Sequence, residues 1–556
     1  MSQLTTGVEF VFALVLMLGV LITVHEFGHF VAAKLCGVRV LKFSIGFGPP
    51  IGFGRFRMSW TRGGTDYVIA WLPLGGFVKM LGENPDEVDS SEAVADPGHA
   101  LGAKPTWQKL SVVLAGPAMN LALPIFIFAA TLAVGIDRRE AVVGNVEPGS
   151  PAAEAGLLPE DRVISIEGEP IAWWDELEKQ VRTRPGQRLS LGVEREGRRF
   201  DFDVDVEERA GLDIFRLNSD VGWLGLQHAR QKALVGITST GTPAARAGLR
   251  SGDRVARVGE TPVEDWTVFA EAYALAEGSV ELTLVRGADD GEGEIQLSVP
   301  ALGSVARLGV IPAVVLVASV SEGKPADRAG VEPGDLIVAV DDVPVGSFLT
   351  FQETVLASRG RVLEILVARD GETQRLLIRP ELTQLSDGGV DEELYLIGIR
   401  GQEATVLGAI ATDQVRNPFV AFPRAATMTV DLTRLFMNGL RKIISGEISR
   451  RNIGGPIEIA KQSHMALQAG WDRFLNLLIL ISINLGILNL LPIPILDGGQ
   501  ALMFTVEGVK RSPLSLRTRE IVQQLGLVVL VTLMGFAFWN DISRHWSSFL
   551  EWVKGL

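Results

Sequence analysis

Apolar residues gather into four long runs, two early in the chain and two late, with shorter alternating groups between them. Val8 to Val24 (VEFVFALVLMLGVLITV) carries one charge, Glu9, and the helical pattern continues to residue 35. Residues 108–136, 469–491 and 521–540 are similarly apolar. Each run is close to the roughly 20 residues a helix needs to cross a bilayer, so four transmembrane helices are expected. A buried core helix is the alternative for the second and the fourth.

Between the first two runs, residues 36–107 break the helical period. Glycines and prolines punctuate short alternating stretches (VRVLKFSIGFGPPIGFGRFRMSW, then DYVIAWLPLGGFVKM), which predict hairpin strands; the polar, acidic residues 82–104 predict a loop. The middle of the chain contains an internal repeat aligned on proline. Gly149-Ser-Pro-Ala-Ala-Glu-Ala-Gly-Leu157 leads to Asp161, Gly241-Thr-Pro-Ala-Ala-Arg-Ala-Gly-Leu249 to Asp253, and Gly323-Lys-Pro-Ala-Asp-Arg-Ala-Gly-Val331 to Asp335. A spacing of roughly 80–90 residues suits a small domain rather than a solenoid unit. Each copy reads as a short helix, a turn and a strand, then a further helix and a strand pair, at 141–210, 219–301 and 306–383. The first copy departs by carrying Glu160 where the others have Gly252 and Gly334. Residues 395–468 are amphipathic and read as a membrane-surface region, with packing on an adjacent copy as the alternative. Trp539, Trp546 and Trp552, at the end of the last run and in the tail 541–556, suit an interfacial belt.

Charge sharpens this layout. The net charge is -14, and residues 139–413 carry roughly -20, which marks a large acidic region outside the membrane. Lys34, Arg39, Lys42, Arg55, Arg57, Lys104 and Lys109 flank the first two runs, and Lys510, Arg511, Arg517 and Arg519 precede the last. The positive-inside rule puts both loops in the cytoplasm. The first run lacks a basic leader and a small-residue cleavage site, so a cleaved signal peptide is not expected. The single cysteine, Cys36, excludes an internal disulfide framework and leaves the redox compartment open. Nothing basic and aromatic enough points to nucleic acid.

The candidate chemistry lies in the first run, at His25-Glu26-Phe27-Gly28-His29. On a helix the two histidines project from one face and can reach one zinc ion, with Glu26 placed as a general base. An ionisable group at the bilayer centre costs about 2.5–3.5 kcal/mol, so the cluster demands a functional explanation. Catalytic zinc usually has three protein ligands, and the sequence offers several candidates for the third. The best is Asp497 in Asn489-Leu-Leu-Pro492-Ile-Pro494-Ile-Leu-Asp497-Gly498, where prolines end the third run. Broken backbone at membrane depth is tolerated only inside protein or beside a cavity. An ordinary Asp-Gly turn is the alternative. His99, His228, His464 and His545 lie in polar contexts and read as surface residues rather than ligands.

The repeats resemble PDZ domains of bacterial proteases, which bind peptide termini by strand addition; spacer modules without ligand are an equal alternative. The HExxH helix, paired with NxxPxPxLDG over 489–498, resembles the site-2 protease family of intramembrane zinc metalloproteases. The LPLGGFVKM and MGFAFWNDISR segments extend the likeness over essentially the whole chain, toward the bacterial branch that cleaves anti-sigma factors. The resemblance implies zinc held by His25, His29 and Asp497, with Glu26 as general base and Asn489 positioning substrate or supporting the oxyanion. It implies that the hairpin ending in Gly75-Gly76-Phe77-Val78 holds substrate extended. Ala115-Gly116-Pro117-Ala118-Met119-Asn120 matches the family's second-helix motif, read as close helix packing with little direct catalytic role for Asn120.

The expected architecture is an α-helical multi-pass membrane protein, with a membrane-associated hairpin sheet and inserted tandem α+β PDZ domains. The expected function is cleavage in or near the span of single-pass substrates in regulated intramembrane proteolysis. By resemblance those substrates are pre-trimmed anti-sigma factors or signal-peptide remnants, delivered by an upstream site-1-type protease. The expected location is a bacterial inner membrane, with the PDZ region periplasmic and the zinc site toward the cytoplasm. Three copies instead of the usual two leave the substrate range open. The rival functions are a catalytically silent membrane PDZ adaptor and a zinc-binding transporter.

Overall fold

The computed structural model describes residues 2–52, 56–82, 97–213, 215, 217–286, 293–387, 390–448, 454–512 and 514–554. Residues 83–96 of the expected loop and Arg55 lie outside the described residues, as do the side chains of His545, Trp546 and Trp552. The chain divides into two units. One comprises residues 1–136, 386–391 and 414–556; the other comprises 137–385 and 392–413.

The first unit is helical. Helix α1 spans Ser2–Leu35 and α2 spans Thr106–Val134. After the second unit come α3 (Pro418–Ser445), α4 (Pro456–Gln468), α5 (Trp471–Asn489), α6 (Asp497–Lys510) and α7 (Leu516–Lys554). Four described helices are long and apolar enough to cross a membrane: Glu9–Leu35, Thr106–Val134, Trp471–Asn489 and Arg517–Ser543. They coincide within a few residues with the four expected spans. Helix α2 is the hub, packing against α1, α3, α5 and α6. Phe128 and Ala129 of α2 share a core with Ala421 and Ala425 of α3 and with Ile479, Ile483 and Ile487 of α5. The last span is almost bare of protein contacts, leaving its apolar surface to lipid.

Two hydrogen-bonding details fix this bundle. Pro124 in α2 cannot donate the N–H that would pair with the Asn120 carbonyl four residues earlier. That carbonyl instead accepts from Ser482 Oγ of α5 at 2.7 Å. At the other end, Asp541 of α7 is fully buried and caps α4 from outside that helix. Its carboxylate accepts from the N–H groups of Gly455 at 2.8 Å and Ile457 at 2.9 Å, satisfying donors a helix start leaves unpaired.

Residues 40–80 form a three-stranded sheet: β1 (Val40–Pro50), β2 (Ser59–Arg62) and β3 (Thr65–Met80). The long β3 folds around β1. Val40 faces Met80 and Ile45 faces Gly76 on one side, while Lys42 faces Asp66 and Ile45 faces Ile69 on the other. Val40, Val78 and Met80 pack with Ala33 of α1 and Val112 of α2, seating the sheet on the C-terminal end of α1. Phe56, Trp60, Trp71 and Leu72 remain exposed on the hairpins.

The second unit consists of three α+β modules that repeat one plan. Each has a four-stranded sheet: Glu169–Pro170, Arg162–Ile166, Arg188–Arg195 and Arg198–Asp205 in the first, and their counterparts in the others. A nine- or ten-residue helix packs on it: Trp174–Arg182, Trp266–Ala274 and Phe348–Ala357. The repeat aspartates have a structural role. Asp161, Asp253 and Asp335 are buried, and each takes a two-pronged ion pair from an arginine: Arg195, Arg286 and Arg369. Each also caps the turn ahead of it, accepting from Leu158, Arg250 or Glu332 N–H at 2.8–2.9 Å.

The modules end later than the sequence repeat indicates. Leu226–Gln227 pairs back onto Asn145–Val146, Ile311–Pro312 onto Val235–Gly236, and Ile399–Gly401 onto Val317–Val320. The modules therefore run over about 141–228, 233–313 and 315–401, instead of 141–210, 219–301 and 306–383. Closing strands this short carry no readable periodicity, and a hairpin or short helix separates each from its sheet. For the same reason 395–413 is not part of an amphipathic helical region. It holds the third closing strand, then Thr405–Val406 paired with Arg230–Gln231, and Ile410–Asp413. The first and third modules are clasped at Glu147, whose buried carboxylate accepts from Gln227 Nε2 at 2.7 Å and Thr350 Oγ1 at 2.8 Å.

Candidate metal centre

His25 and His29 stand one turn apart on α1, both buried within the bundle. Asp497 is the first residue of α6, where the positive end of the helix favours a carboxylate. The chain reaches it through a tight turn after α5, and Gly498 is required there, since a Cβ would sit 2.3 Å from the Leu490 carbonyl oxygen. His25 Nε2 is 3.2 Å from His29 Nε2 and 3.1 Å from Asp497 Oδ2, and His29 Nε2 is 3.6 Å from Asp497 Oδ1. Tetrahedral zinc with donors at 2.0–2.1 Å has ligand-to-ligand edges of about 3.3 Å. The three separations bracket that value, and two imidazoles with one carboxylate form a donor set suited to zinc. Among the described residues this is the one group of three such side chains close enough to share a metal.

Helix α2 forms the back wall. Gly28 of α1 meets it where a Cβ would lie 2.3 Å from the Ala115 carbonyl oxygen. A Cβ on Gly116 would lie 2.3 Å from His29 Nε2 and 2.8 Å from His25 Cε1, inside the space where the three donors converge. The Ala115-Gly116 pair thus both permits close packing and keeps the centre open. His29 Nδ1 donates to the Val112 carbonyl at 2.8 Å, directing its Nε2 lone pair at Asp497.

Glu26 faces the sheet. Its carboxylate accepts from the Val78 N–H, and its Cγ lies 3.3 Å from where a Cβ on Gly76 would stand. A side chain at position 76 would crowd the acid and, more tightly, meet the Ser44 carbonyl oxygen at 2.8 Å, which accounts for the glycine. Asn489 ends α5 and is half-buried; no described hydrogen bond joins its side chain to His25, His29 or Asp497. The roles of Val112 and Gly116 are not legible in the sequence, although their four-residue spacing mirrors that of the histidines they face.

The remaining described histidines are not ligands, but two are not surface residues either. His228 is buried, with Nε2 2.8 Å from the Ala409 carbonyl oxygen and its ring on Trp174. His464 is half-buried against Phe10.

The model of peptidase family M50 matches residues 13–533. A protein of Neisseria meningitidis named as a putative zinc metalloprotease is 29% identical, over 97% of this chain and 99% of its own. The regulator of sigma E protease of Salmonella typhi is 31% identical, over 96% and 98%. Its counterpart in Escherichia coli is 30% identical, over 95% and 97%. Matched almost end to end, the chain belongs to peptidase family M50 and is a membrane zinc metalloprotease of the site-2 type.

Proposed function

We propose that His25, His29 and Asp497 hold the zinc and that Glu26 is the general base in hydrolysis of a peptide bond in or near a substrate's membrane span. The observation that carries this reading is the convergence of three metal donors, from helices about 470 residues apart in sequence, beside the Glu26 carboxylate. Zinc, when bound, supplies a Lewis acid that polarises the scissile carbonyl and acidifies water. Glu26 takes the proton as water adds to the carbonyl carbon, and returns it to the leaving nitrogen as the C–N bond breaks.

The sheet supports a substrate-holding role. A helical peptide hides its carbonyls, so cleavage needs local unwinding, and β3 runs past Glu26 at Gly76 to Val78. An unwound span added to that strand would present its carbonyls to the centre. Asn489 is proposed to steady the substrate from the end of α5.

By resemblance, the substrates are single-pass proteins such as pre-trimmed anti-sigma factors or signal-peptide remnants, passed on by an upstream site-1-type protease. The three modules are read as PDZ domains that select among them. Basic residues at the α1–α2 and α6–α7 connections favour an inner-membrane orientation with both loops cytoplasmic and the modules periplasmic. His29 lies six residues from the end of α1, about 9 Å along its axis, which in that orientation supports a centre toward the cytoplasmic side.

The test is cleavage of a model single-span substrate by the full chain in proteoliposomes, with zinc measured on the same preparation. Replacing His25 or Asp497 by alanine is expected to remove both zinc and cleavage. Zinc flux without cleavage would instead establish a transporter, and binding without cleavage an adaptor.

A further inference from the structure

Asn120 lies opposite the HExxH face and is fully buried. Its amide Nδ2 is 3.1 Å from His25 Nδ1, while its Oδ1 is enclosed without a partner. Burying an unpaired amide oxygen costs about 1–3 kcal/mol, so this orphan asks for an explanation.

The chemistry of imidazole supplies one. A neutral ring carries one N–H, and a nitrogen that binds a metal must be the other one. For His29 the assignment is settled, because Nδ1 faces the Val112 carbonyl, which can only accept. For His25 the facing group is an amide, whose two ends are nearly isosteric and exchange places on a half turn. With nitrogen toward His25, the ring must keep its proton on Nε2, pointing at Asp497. With oxygen toward His25, the amide accepts Nδ1–H, the orphan disappears, and the Nε2 lone pair faces His29 Nε2 and Asp497 Oδ2.

We propose that Asn120 is the positioning residue for His25, its Oδ1 accepting Nδ1–H so that Nε2 is free to bind zinc. This rests on reading His25, His29 and Asp497 as the ligands. The backbone is built for the task. Val112, Gly116 and Asn120 lie at four-residue intervals on one stripe of α2, opposite His25 and His29. Val112 orients one ring, Gly116 leaves room for both, and Asn120 orients the other. Pro124 frees the Asn120 carbonyl for Ser482, so the residue is pinned to α5 by its backbone while its side chain addresses α1. Outer partners of metal-bound histidines are worth about 10–100-fold in metal affinity.

The test measures zinc affinity by chelator competition on the full chain in detergent, together with the visible spectrum of the cobalt-substituted protein. Asn120→Leu keeps the branched shape and removes the acceptor; Asn120→Asp keeps an acceptor oxygen; Ser482→Ala loosens the same helix contact without touching His25. The expected result is a loss of about 10–100-fold in zinc affinity for Asn120→Leu, with an altered cobalt spectrum. Asn120→Asp and Ser482→Ala should stay within about threefold of the unmodified chain. Equal losses in Asn120→Leu and Ser482→Ala would make the effect one of packing and overturn the proposal, as would unchanged affinity in Asn120→Leu. His25→Ala is measured alongside: if it alone fails to lower zinc affinity, the ligand assignment is wrong, whereas failure confined to Asn120→Leu overturns only the positioning role.

Discussion

His29 Nδ1 lies 2.8 Å from the carbonyl oxygen of Val112, so the second membrane helix dictates which nitrogen of a first-helix histidine is offered to metal. The centre therefore depends on how closely α1 and α2 approach. Gly116 tests that dependence. Alanine there is a better helix former than glycine by about 1 kcal/mol, so helix propensity alone favours the substitution. Its Cβ would nonetheless stand 2.3 Å from His29 Nε2. Gly116→Ala is expected to lower zinc affinity by about 10–100-fold with helix content unchanged, as read by chelator competition and circular dichroism. Unaltered affinity would mean that α2 can move away without cost.

The repeat aspartates make a second prediction. Asp253 is buried, and its two oxygens take Arg286 at 2.6 and 2.7 Å. Arg286→Met leaves that carboxylate buried with only the Arg250 N–H as a remaining partner. The second module should lose about 2–4 kcal/mol, somewhat below a fully buried pair because the arginine is partly exposed. Hydrogen exchange across 233–313 in the intact chain measures this, and exchange in the other modules should change far less.

A third prediction concerns the departure in the first copy. Glu160 has φ of 69°, in the left-handed region, where Gly252 and Gly334 both have 93°. Glu160→Gly should therefore stabilise the first module by about 0.5–1 kcal/mol, seen as slower exchange near residues 157–166. A loss of protection there would show that Glu160 contributes contacts beyond its backbone strain.

These cases mark what the sequence could and could not reveal. The four spans were legible because apolar runs of that length have few alternatives, and His25, Glu26 and His29 were legible because helical spacing alone places them. Asp497 needed the proline-broken end of α5 to stand out. The Asp161, Asp253 and Asp335 repeat was visible, but their arginines were not, since a partner over 30 residues away on a neighbouring strand leaves no local pattern. The two-residue closing strands were invisible for want of any period. Asn120 was noticed only as part of a small-residue stripe, because its meaning lies in the ring it faces across two helices.

His228 supplies a pH test outside the membrane. Burial holds its pKa below the ordinary histidine value of about 6.5, so the folded state favours the neutral ring. The unfolded chain then binds a proton more readily. The contribution is present above the unfolded pKa and is lost as pH falls through that range. Between pH 7.5 and 5 the stability of the first module should fall, and His228→Asn should flatten that slope, as followed by hydrogen exchange at 141–228. An identical slope in the variant would assign the titration to another group.

Glu26 is proposed to perform the proton transfer at a zinc centre formed by His25, His29 and Asp497. The most direct measurement is cleavage of a single-span substrate by the Glu26→Gln chain, with zinc quantified on the same sample. The amide preserves size but cannot take the proton. Zinc is expected to remain at the level of the unmodified protein while the cleavage rate drops by about 10²–10⁴-fold. Cleavage at an undiminished rate with zinc retained would exclude Glu26 as the general base.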